Sequence, residues 1–288
     1  MSGPAPRERV VFWYGCNVVR HGDIIHGSIE LLRAIGLDVA PVGGPGYCCG
    51  TTKDANLRAA EGMAKRTVGR FNELGAAIGT DQVVTWCPSC HRHMGQFMGG
   101  YTEPQFEVSH FTQRVHAQRE RLRERLVKPV ERKVVLHRHL GFREVDVNPL
   151  VEDLLRLVPG LELVTSDVAA PGHMCSALAG VPAAMRDVTR AACELVAATG
   201  AQDLVTVFHS CQRMLCGLEA SEPFRVVNYV TLLAESMGME LADEYKQWKN
   251  AGSAEAVLEK MGPQRVERLG EPFVREHLLP ELLKAPSR

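Results

Sequence analysis

The sequence predicts an α/β protein of two tandem, pseudo-symmetric domains, each with a small and mainly parallel sheet, followed by a helical C-terminal extension. Two observations predict this arrangement. Short runs rich in valine alternate with longer stretches of helical periodicity, which is typical of parallel sheets. The same order of features also appears twice along the 288 residues, which indicates a duplication.

Each half repeats the same series of segments. The predicted strands, given as first-half and second-half pairs, are 9–16 and 133–141, 37–44 and 161–167, 81–87 and 203–209, and the runs that begin at Phe106 and Phe224. A Pro-Gly turn with cysteine follows the second strand of each half, and a stretch with one apolar helix face follows that turn. Six features in the same order favour a duplication over chance.

The segment 113–133 joins the two halves. Its alternating charges favour a solvated helix that Pro129 ends, so the domains are predicted to span 1–128 and 129–288. The stretch from about residue 254 mixes charged residues with valine, leucine and methionine. We expect it to form a helix that packs on its own domain, with docking of a partner chain as the alternative.

Composition and charge exclude several classes of protein. The formal net charge is −1, which offers no general attraction for nucleic acid or an anionic membrane. No apolar stretch has the length of a membrane span or of a signal-peptide core. We therefore expect a cytoplasmic protein that meets a membrane only through partners. Nine cysteines in such a chain favour metal or redox chemistry over disulfides.

Five of the nine cysteines lie in the first third of the chain, close to the ends of predicted strands. They are Cys16, Cys48, Cys49, Cys87 and Cys90. Because the carboxyl ends of parallel strands meet at one edge of a sheet, we expect the five thiols to converge there. Five thiolates exceed the four of a tetrahedral zinc site or an ordinary iron–sulfur cluster. An open cluster with one bridging thiolate would use all five cysteines, whereas a zinc site would leave one cysteine without a metal. The remaining alternative is that the five are unliganded cysteines of the core.

The pattern C…CCG…CPSC, which begins at Cys16 and ends at Cys90, resembles the cysteine-rich CCG domain. That domain occurs in the B subunit of heterodisulfide reductase, in iron–sulfur subunits of glycolate and lactate oxidation systems and in related electron-transfer proteins. The duplicated region, roughly residues 9–230, is similar to the tandem arrangement of that family. The resemblance implies that the five cysteines hold a 4Fe–4S cluster of the noncubane type.

The resemblance also implies an activity and partners. The chain lacks the ferredoxin-like CxxCxxC runs of the glycolate-oxidase type, which favours a B-type subunit of a heterodisulfide reductase-like complex. Such a subunit would reduce a disulfide or oxidise a thiol, and the thiol-oxidising form could take part in sulfur oxidation. Its partners would be a ferredoxin-like C-type subunit and a flavin-containing A-type subunit. One alternative is an electron-transfer subunit between a flavin dehydrogenase and a quinone-linked partner, without its own substrate. The other is a non-redox, zinc-binding assembly subunit.

The second half keeps only part of the cysteine pattern. Its two matching cysteines and the four histidines expected on the same rim are Cys175, Cys211, His137, His139, His173 and His209. Both cysteines and two of the histidines, with His173 as the first candidate, could hold zinc or a mixed-ligand iron–sulfur cluster. A decayed half that serves as scaffold is one alternative. A substrate pocket is another, in which His209 or His139 would give a proton to a thiolate leaving group.

Further polar residues follow the cysteines of the first half. Arg20 and His21 come soon after Cys16 and could border an anionic substrate. His91 and His93 follow the CPSC motif and could tune a cluster through hydrogen bonds to sulfur, act as proton donors, or simply form the polar start of a helix.

Overall fold

Two sheets of parallel strands, one in each half, form the framework of a computed structural model that describes residues 7–51, 56–142 and 146–285. The strands of the first half are β1 (Arg9–Gly15), β2 (Asp38–Gly43), β3 (Gln82–Thr85) and β4 (Glu107–His110). Those of the second half are β5 (Arg132–His139), β6 (Leu161–Val164), β7 (Ala169–Ala170), β8 (Asp203–Thr206) and β9 (Arg225–Asn228).

The two sheets have the same topology. The strand order is β2-β1-β3-β4 in the first sheet and β6-β5-β8-β9 in the second, where the short β7 also pairs with β5. Every one of these pairings is parallel. The predicted α/β fold class with two small parallel sheets is therefore confirmed, while the domain boundary after residue 128 stays a prediction.

Helices alternate with the strands in both halves and continue beyond the second sheet. The helices of the first half are α1 (Gly22–Ala34), α2 (Leu57–Ile78), α3 (Pro88–Gln96), α4 (Phe111–Ala117) and α5 (Arg119–Arg123). Those of the second half are α6 (Asn148–Leu155), α7 (Pro182–Thr199), α8 (His209–Leu215) and α9 (Tyr229–Ser236). The C-terminal extension contains α10 (Glu244–Lys249), α11 (Ala254–Met261), α12 (Pro263–Leu269), α13 (Glu271–Phe273) and α14 (Leu279–Leu283).

The connection between the halves differs from the single solvated helix that the charge pattern predicts. The helical part consists of the short α4 and α5, broken at Gln118, and it ends at Arg123 rather than at Pro129. Val115 and Leu122 are fully buried. Their seven-residue spacing places both on one face of the connection, and burial of that face overrides the charge pattern.

The centre of the first sheet is buried on both faces. Val10, Val11, Phe12 and Trp13 of β1 each have 1% or less of their surface exposed. A strand that carries helices on both faces needs apolar side chains in both directions, which explains this unbroken apolar run. On one face, α2 contributes Phe71, whose ring meets Trp13 edge-on at 4.9 Å between centroids.

The two halves pack against each other through symmetry-related helices. Helix α1 of the first half packs on α9 of the second, and α6 of the second half packs on α4 of the first. Gly27 of α1 permits the close approach, because an added Cβ would lie 2.7 Å from a methyl carbon of Val230. Nearby, Trp86 stacks on Tyr229 with ring centroids 5.9 Å apart, and the Tyr229 hydroxyl hydrogen-bonds Thr112 Oγ1 at 2.8 Å.

The C-terminal extension packs on the rest of the chain, as its apolar residues predict. Val257, Met261 and Leu282 are buried, and α14 lies against α10 and α11. Glu281 also reaches the first half, where it forms a salt bridge with Arg20 at 3.0 Å. Among the described residues, none of the helices combines the length and the apolar character needed to cross a membrane.

At one pair of equivalent positions, the two halves carry different residues that both cap a helix. His110 ends β4 and caps α4 by accepting a hydrogen bond from Thr112 N at Nδ1, at 3.3 Å. Asn228 ends β9 and caps α9 in the same way, with Val230 N as donor at 3.1 Å. Burial, followed by the neighbouring His91, lowers the pKa of His110 to about 3. The capping histidine is therefore neutral in the folded protein at neutral pH.

We expect His110→Asn to keep the cap and to remove part of the acid sensitivity of the fold. A histidine with a pKa near 6.5 when unfolded and about 3 when folded costs stability as the pH falls from about 6.5 towards 3, because the unfolded chain binds the proton first. Between pH 7 and pH 5 the wild type should lose about 2 kcal/mol more unfolding free energy than the variant. Urea unfolding at the two pH values measures this difference.

The exposed His26 on α1 provides the control. His26→Asn removes a histidine without touching a cap, and its pH dependence should follow that of the wild type. Equal pH dependence of His110→Asn and wild type would contradict the assignment of His110 as a buried neutral cap.

Candidate metal centres

The topology of each sheet creates one place where ligands can collect. In the order β2-β1-β3-β4, the chain leaves the central strands β1 and β3 in opposite directions, so a crevice opens beyond their carboxyl ends. Cys16 follows β1 directly, and Cys87 precedes α3 just after β3. In the second sheet the same crevice lies between the ends of β5 and β8.

The structure brings all five predicted thiols of the first half together at this crevice. The Sγ atoms of Cys49 and Cys90 are 3.5 Å apart, Cys16 is hydrogen-bonded to Cys48, and Cys87 to Cys90. Cys49, Cys87 and Cys90 are buried, whereas Cys16 and Cys48 are partly exposed. All nine cysteines lie in the described part of the chain, and none of them forms a disulfide. The role of the five as ligands stays a prediction.

Two of the five thiols are favoured as thiolates even without a metal. Hydrogen bonds from Cys16 and Cys49 lower the pKa of Cys48 to about 2, against the opposing effect of burial. The pKa of Cys87 is lowered by a hydrogen bond from Cys90 and by the backbone amides of Cys90 and Ser89 at the start of α3. Thiolates are the form in which cysteine binds metals, so this edge is electrostatically prepared for a cation.

The remaining three thiols hold the protons of these hydrogen bonds. The hydrogen bond to Cys48 and burial raise the pKa of Cys16, and the bond to Cys48 raises the pKa of Cys49 to about 12. Hydrogen bonds to Cys49 and Cys87, with burial, raise the pKa of Cys90. A bound metal would replace these shared protons, and its charge would favour all five as thiolates.

Gly15 leaves room beside the thiols. Its φ of +89° is a conformation that residues with a side chain rarely adopt. A Cβ atom there would lie 3.4 Å from Cys87 Cβ and 3.6 Å from Cys90 Sγ. Any larger side chain would therefore enter the space between the cysteines, and the glycine keeps this space free for a bound group.

The second half has a different, four-membered group at the equivalent edge. His137 Nε2 and His139 Nε2 lie 3.3 Å and 3.4 Å from Cys175 Sγ. One ligand atom from each of these residues and from Cys211 lies within 4.8 Å of all the others, and all four residues are buried. Two imidazoles and two thiols in such proximity are a ligand set that suits a tetrahedral metal ion.

Hydrogen bonds and charge already orient this group. His139 Nδ1 is 3.2 Å from the carbonyl oxygen of Pro171, which accepts its proton and leaves Nε2 free to ligate. Burial opposes ionisation of Cys211, but hydrogen bonds from Cys175 and both imidazoles lower its pKa well below the usual value. The Cys211 thiolate in turn raises the pKa of His139 against the effect of burial.

The strand register shows how the two centres are related. Trp13 pairs with Thr85 at the end of β3, and His137 pairs with Thr206 at the end of β8. The equivalents of Trp13 and Gly15 are therefore His137 and His139, which point to the same face because they are two residues apart on a strand. The same register places Leu140, which is exposed, at the position of Cys16. The second half therefore has imidazole side chains at the two positions where the first half has Trp13 and Gly15.

His173, the first candidate in the sequence-based ligand set, lies outside the four-membered group. Its Nε2 hydrogen-bonds Ser89 Oγ at 2.8 Å, and its ring stacks on Phe142 at 4.2 Å between centroids. It therefore contacts the start of α3 in the first half. The sequence does contain a feature that could have identified the correct histidines. His137 and His139 are two residues apart on a strand, so both side chains lie on the same face of the sheet.

His209 and His139, the two predicted proton donors, are both buried among polar partners, and their catalytic role stays a prediction. His209 is buried and accepts a hydrogen bond from Trp86 Nε1 at Nδ1, at 3.3 Å. Burial, followed by charge interactions with neighbours that include Arg213, lowers its pKa to about 3, so its imidazole is neutral near neutral pH. His139 is held between Cys175, Cys211 and a backbone carbonyl.

The edge of the second half that is equivalent to the five-thiol edge is occupied by side chains. His137 and His139 occupy it and are buried. A cavity of about 250 Å³ lies beside it, between β7 and α7, and is lined mainly by alanine and valine together with His137 and Arg138. The predicted substrate pocket at this edge stays a prediction, and this cavity is the space that lies next to it.

The other polar residues near the motifs have structural partners. His91 Nδ1 lies 3.1 Å from Thr85 Oγ1, and the buried His93 stacks on Phe97. Arg20 donates to Asn17 Oδ1 at 3.2 Å, next to Cys16. The His91 and His93 contacts support the last interpretation of these two residues, as the polar side of a helix start.

Comparisons with known proteins agree with the first centre. The family model "CCG: Cysteine-rich domain" matches residues 10–95. A search of curated proteins found no match. Among solved structures, an aspartate racemase homologue from Pyrococcus horikoshii OT3 has 11% identity and a TM-score of 0.32, covering 81% of this chain and 100% of its own. Arylmalonate decarboxylase has 14% identity and a TM-score of 0.24, covering 81% of this chain and 94% of its own.

A LacI transcriptional regulator from Lactobacillus brevis has 9% identity and a TM-score of 0.27, covering 80% of this chain and 91% of its own. Scores this low do not indicate a shared fold. The family match spans the strand ends and turns that carry all five clustered cysteines. Residues 10–95 of this chain are therefore a cysteine-rich domain of the CCG family.

Proposed function

We propose that this chain is the B-type subunit of a heterodisulfide reductase-like complex, an iron–sulfur oxidoreductase that reduces a disulfide or oxidises a thiol. The observation that carries the proposal is the convergence of five thiols, including the adjacent Cys48 and Cys49, at the switch point of a CCG domain. Reduction of a disulfide takes up two electrons and two protons and releases two thiols. The thiol-oxidising version runs the same conversion in reverse.

The five-thiol edge fits a 4Fe–4S cluster of the noncubane type. Two residues, Cys48 and Cys87, are already favoured as thiolates, and the glycine at Gly15 leaves the adjoining space free. Neighbouring cysteines can hardly ligate the same metal atom, but they can reach two different irons, which gives a fifth thiolate a use. When bound, the cluster would supply one-electron redox chemistry and an iron site for sulfur.

The partly exposed side of the edge favours a small anionic substrate. Cys16 and Cys48 form this side, since the other three cysteines are buried. Arg20 and Arg213 both donate to Asn17 Oδ1, at 3.2 Å and 3.0 Å, immediately after Cys16. Arg20 also pairs with Glu281, so the two guanidinium groups and this carboxylate together leave one net positive charge that would attract a carboxylate or phosphate group on a thiol or disulfide.

The electrons would be exchanged with other subunits. By analogy with the family resembled, we propose a ferredoxin-like C-type subunit and a flavin-containing A-type subunit as partners. The second candidate is an electron-transfer subunit between a flavin dehydrogenase and a quinone-linked partner. The accessible side at Cys16 and Cys48 favours the first candidate, because a pure electron carrier needs no opening for a substrate.

The four-membered group of the second half would hold zinc with a structural role. His137, His139, Cys175 and Cys211 form a closed Cys2His2 set without a position for a substrate, which is typical of structural zinc. The hydrogen bond of His139 Nδ1 to Pro171 supports this role, since it fixes the tautomer that ligates through Nε2. A mixed-ligand iron–sulfur cluster at the same four residues is the competing occupant.

Anaerobically purified protein should contain about four iron and four acid-labile sulfide per chain. Cys49→Ser should lose most of both, because it removes a buried thiol that contacts Cys48 and Cys90. Iron and sulfide assays measure the result. Cys193→Ser on α7 is the matched control and should keep the full iron content. Wild-type protein without iron and sulfide would overturn the proposed function.

A small anionic disulfide should change the EPR signal of the reduced protein if the accessible side receives a substrate. Arg213→Gln should weaken this response without changing the iron content, because it removes one of the two guanidinium groups beside Asn17. EPR titration with the disulfide gives the response. An unchanged spectrum at saturating disulfide would support the electron-transfer candidate instead.

The same protein should also contain about one zinc per chain, and Cys211→Ser should remove it while the iron content stays unchanged. The reason is that Cys211 is the ligand favoured as a thiolate in the four-membered group. Plasma emission analysis separates the two metals. Cys216→Ser, a buried thiol outside the group, is the control. Loss of iron rather than zinc from Cys211→Ser would instead indicate a mixed-ligand cluster.

A further inference from the structure

A third group of ligand-type side chains, which shares no residue with the two cysteine groups, lies where the first half meets the C-terminal extension. His21 and Asp23 stand at the beginning of α1, and Asp243 directly precedes α10. One ligand atom from each of the three lies within 4.8 Å of the other two. Their exposed fractions are 1%, 4% and 8%, so all three polar groups are withdrawn from water.

The middle of this group contains polar atoms without partners. Both ring nitrogens of His21 and the Oδ1 atom of Asp23 are buried and have no hydrogen-bond partner among the described residues. His21 Nδ1 points towards Asp243 Oδ1, but the 3.8 Å between these atoms exceeds a hydrogen bond. Buried polar atoms of native proteins are nearly always satisfied, so these atoms call for a ligand that the protein chain does not supply.

The outer atoms of the two carboxylates are held in place. Thr231 Oγ1 donates to Asp23 Oδ2 at 3.3 Å, and Gln212 Nε2 donates to Asp243 Oδ2 at 2.8 Å. Asp243 Oδ1 also accepts from Lys246 N at 3.0 Å and caps α10. Hydrogen bonds of this kind orient carboxylate ligands towards a metal ion and are a regular part of metal sites.

We propose that His21, Asp23 and Asp243 bind a divalent first-row transition metal ion. One imidazole and two carboxylates suit Mn²⁺, Fe²⁺ or Zn²⁺, in contrast to the thiol-rich edges. A dication would balance two carboxylates that otherwise lie together in a buried site. Three protein ligands would leave further coordination positions of the ion for water.

The proposed ion would join two parts of the chain that are far apart in sequence. It would link the start of α1, which follows the segment with Cys16, to α10 of the extension. The segment Val18–Arg20, which lies between Cys16 and His21, would then be fixed at its C-terminal end. This inference stands apart from the proposed function, since none of its three ligands belongs to a cysteine edge.

The test uses Mn²⁺ as probe, because Mn²⁺ prefers oxygen and nitrogen ligands to thiolates. Full-length protein, dialysed against a chelator, is titrated with Mn²⁺ and the free ion is followed by its six-line EPR signal. The wild type should bind one Mn²⁺ per chain and gain thermal stability on binding. Asp23→Asn should weaken binding about 10- to 100-fold or more and abolish the rise in Tm.

Glu30→Gln is the matched control, since it removes a carboxylate from the exposed face of the same helix and should bind Mn²⁺ like the wild type. If Asp23→Asn does not fold, Asp243→Asn decides the question, because an asparagine can still cap α10. Absence of Mn²⁺ binding by the wild type would overturn the proposal and leave an imidazole–carboxylate cluster without a metal. Equal binding by wild type and either site variant would overturn it as well.

Discussion

Parallel pairing around a switch point is the constraint on which both cysteine edges depend. In each sheet the two central strands end side by side while the chain leaves them in opposite directions. Residues far apart in sequence, such as Cys49 and Cys90, are brought into contact by this geometry, with their Sγ atoms 3.5 Å apart. The helix that begins after the third strand adds backbone amides, which stabilise a thiolate at Cys87. Sheet topology and helix start together favour thiolates at this edge, where they could hold a cation.

The two edges differ by a coordinated replacement rather than by simple loss. The first places a glycine beside five thiols, and the second places His139 at the position of that glycine and His137 at the position of Trp13. A buried site that loses thiolates needs either fewer positive charges or other ligands. Two neutral imidazoles with two cysteines suit a single dication, whereas five thiolates need a cluster of several metal ions. The decayed-scaffold interpretation does not explain why both histidines point at Cys175.

The junction between the halves is unusually polar for a buried surface. Trp86 donates to His209, and Thr112 hydrogen-bonds Tyr229, so each half supplies one partner of both contacts. Buried polar groups cost free energy unless they are paired, and their pairing therefore restricts how the halves can dock. Gly27 also shapes this junction, because its lack of a side chain lets α1 pack closely against α9.

The sequence by itself determined the duplication, the alternation of strands and helices, and the convergence of the five cysteines. Each of these follows from local periodicity and from the rule that parallel strands end at one edge. Only the tertiary structure decided that His137, rather than His173, faces Cys175, because the strand register sets which side chains share a face. It alone placed Asp243 beside His21, since contacts between distant segments depend on how whole helices pack. Such contacts leave no periodic signal in the sequence, which is the physical reason that the third group could not be predicted.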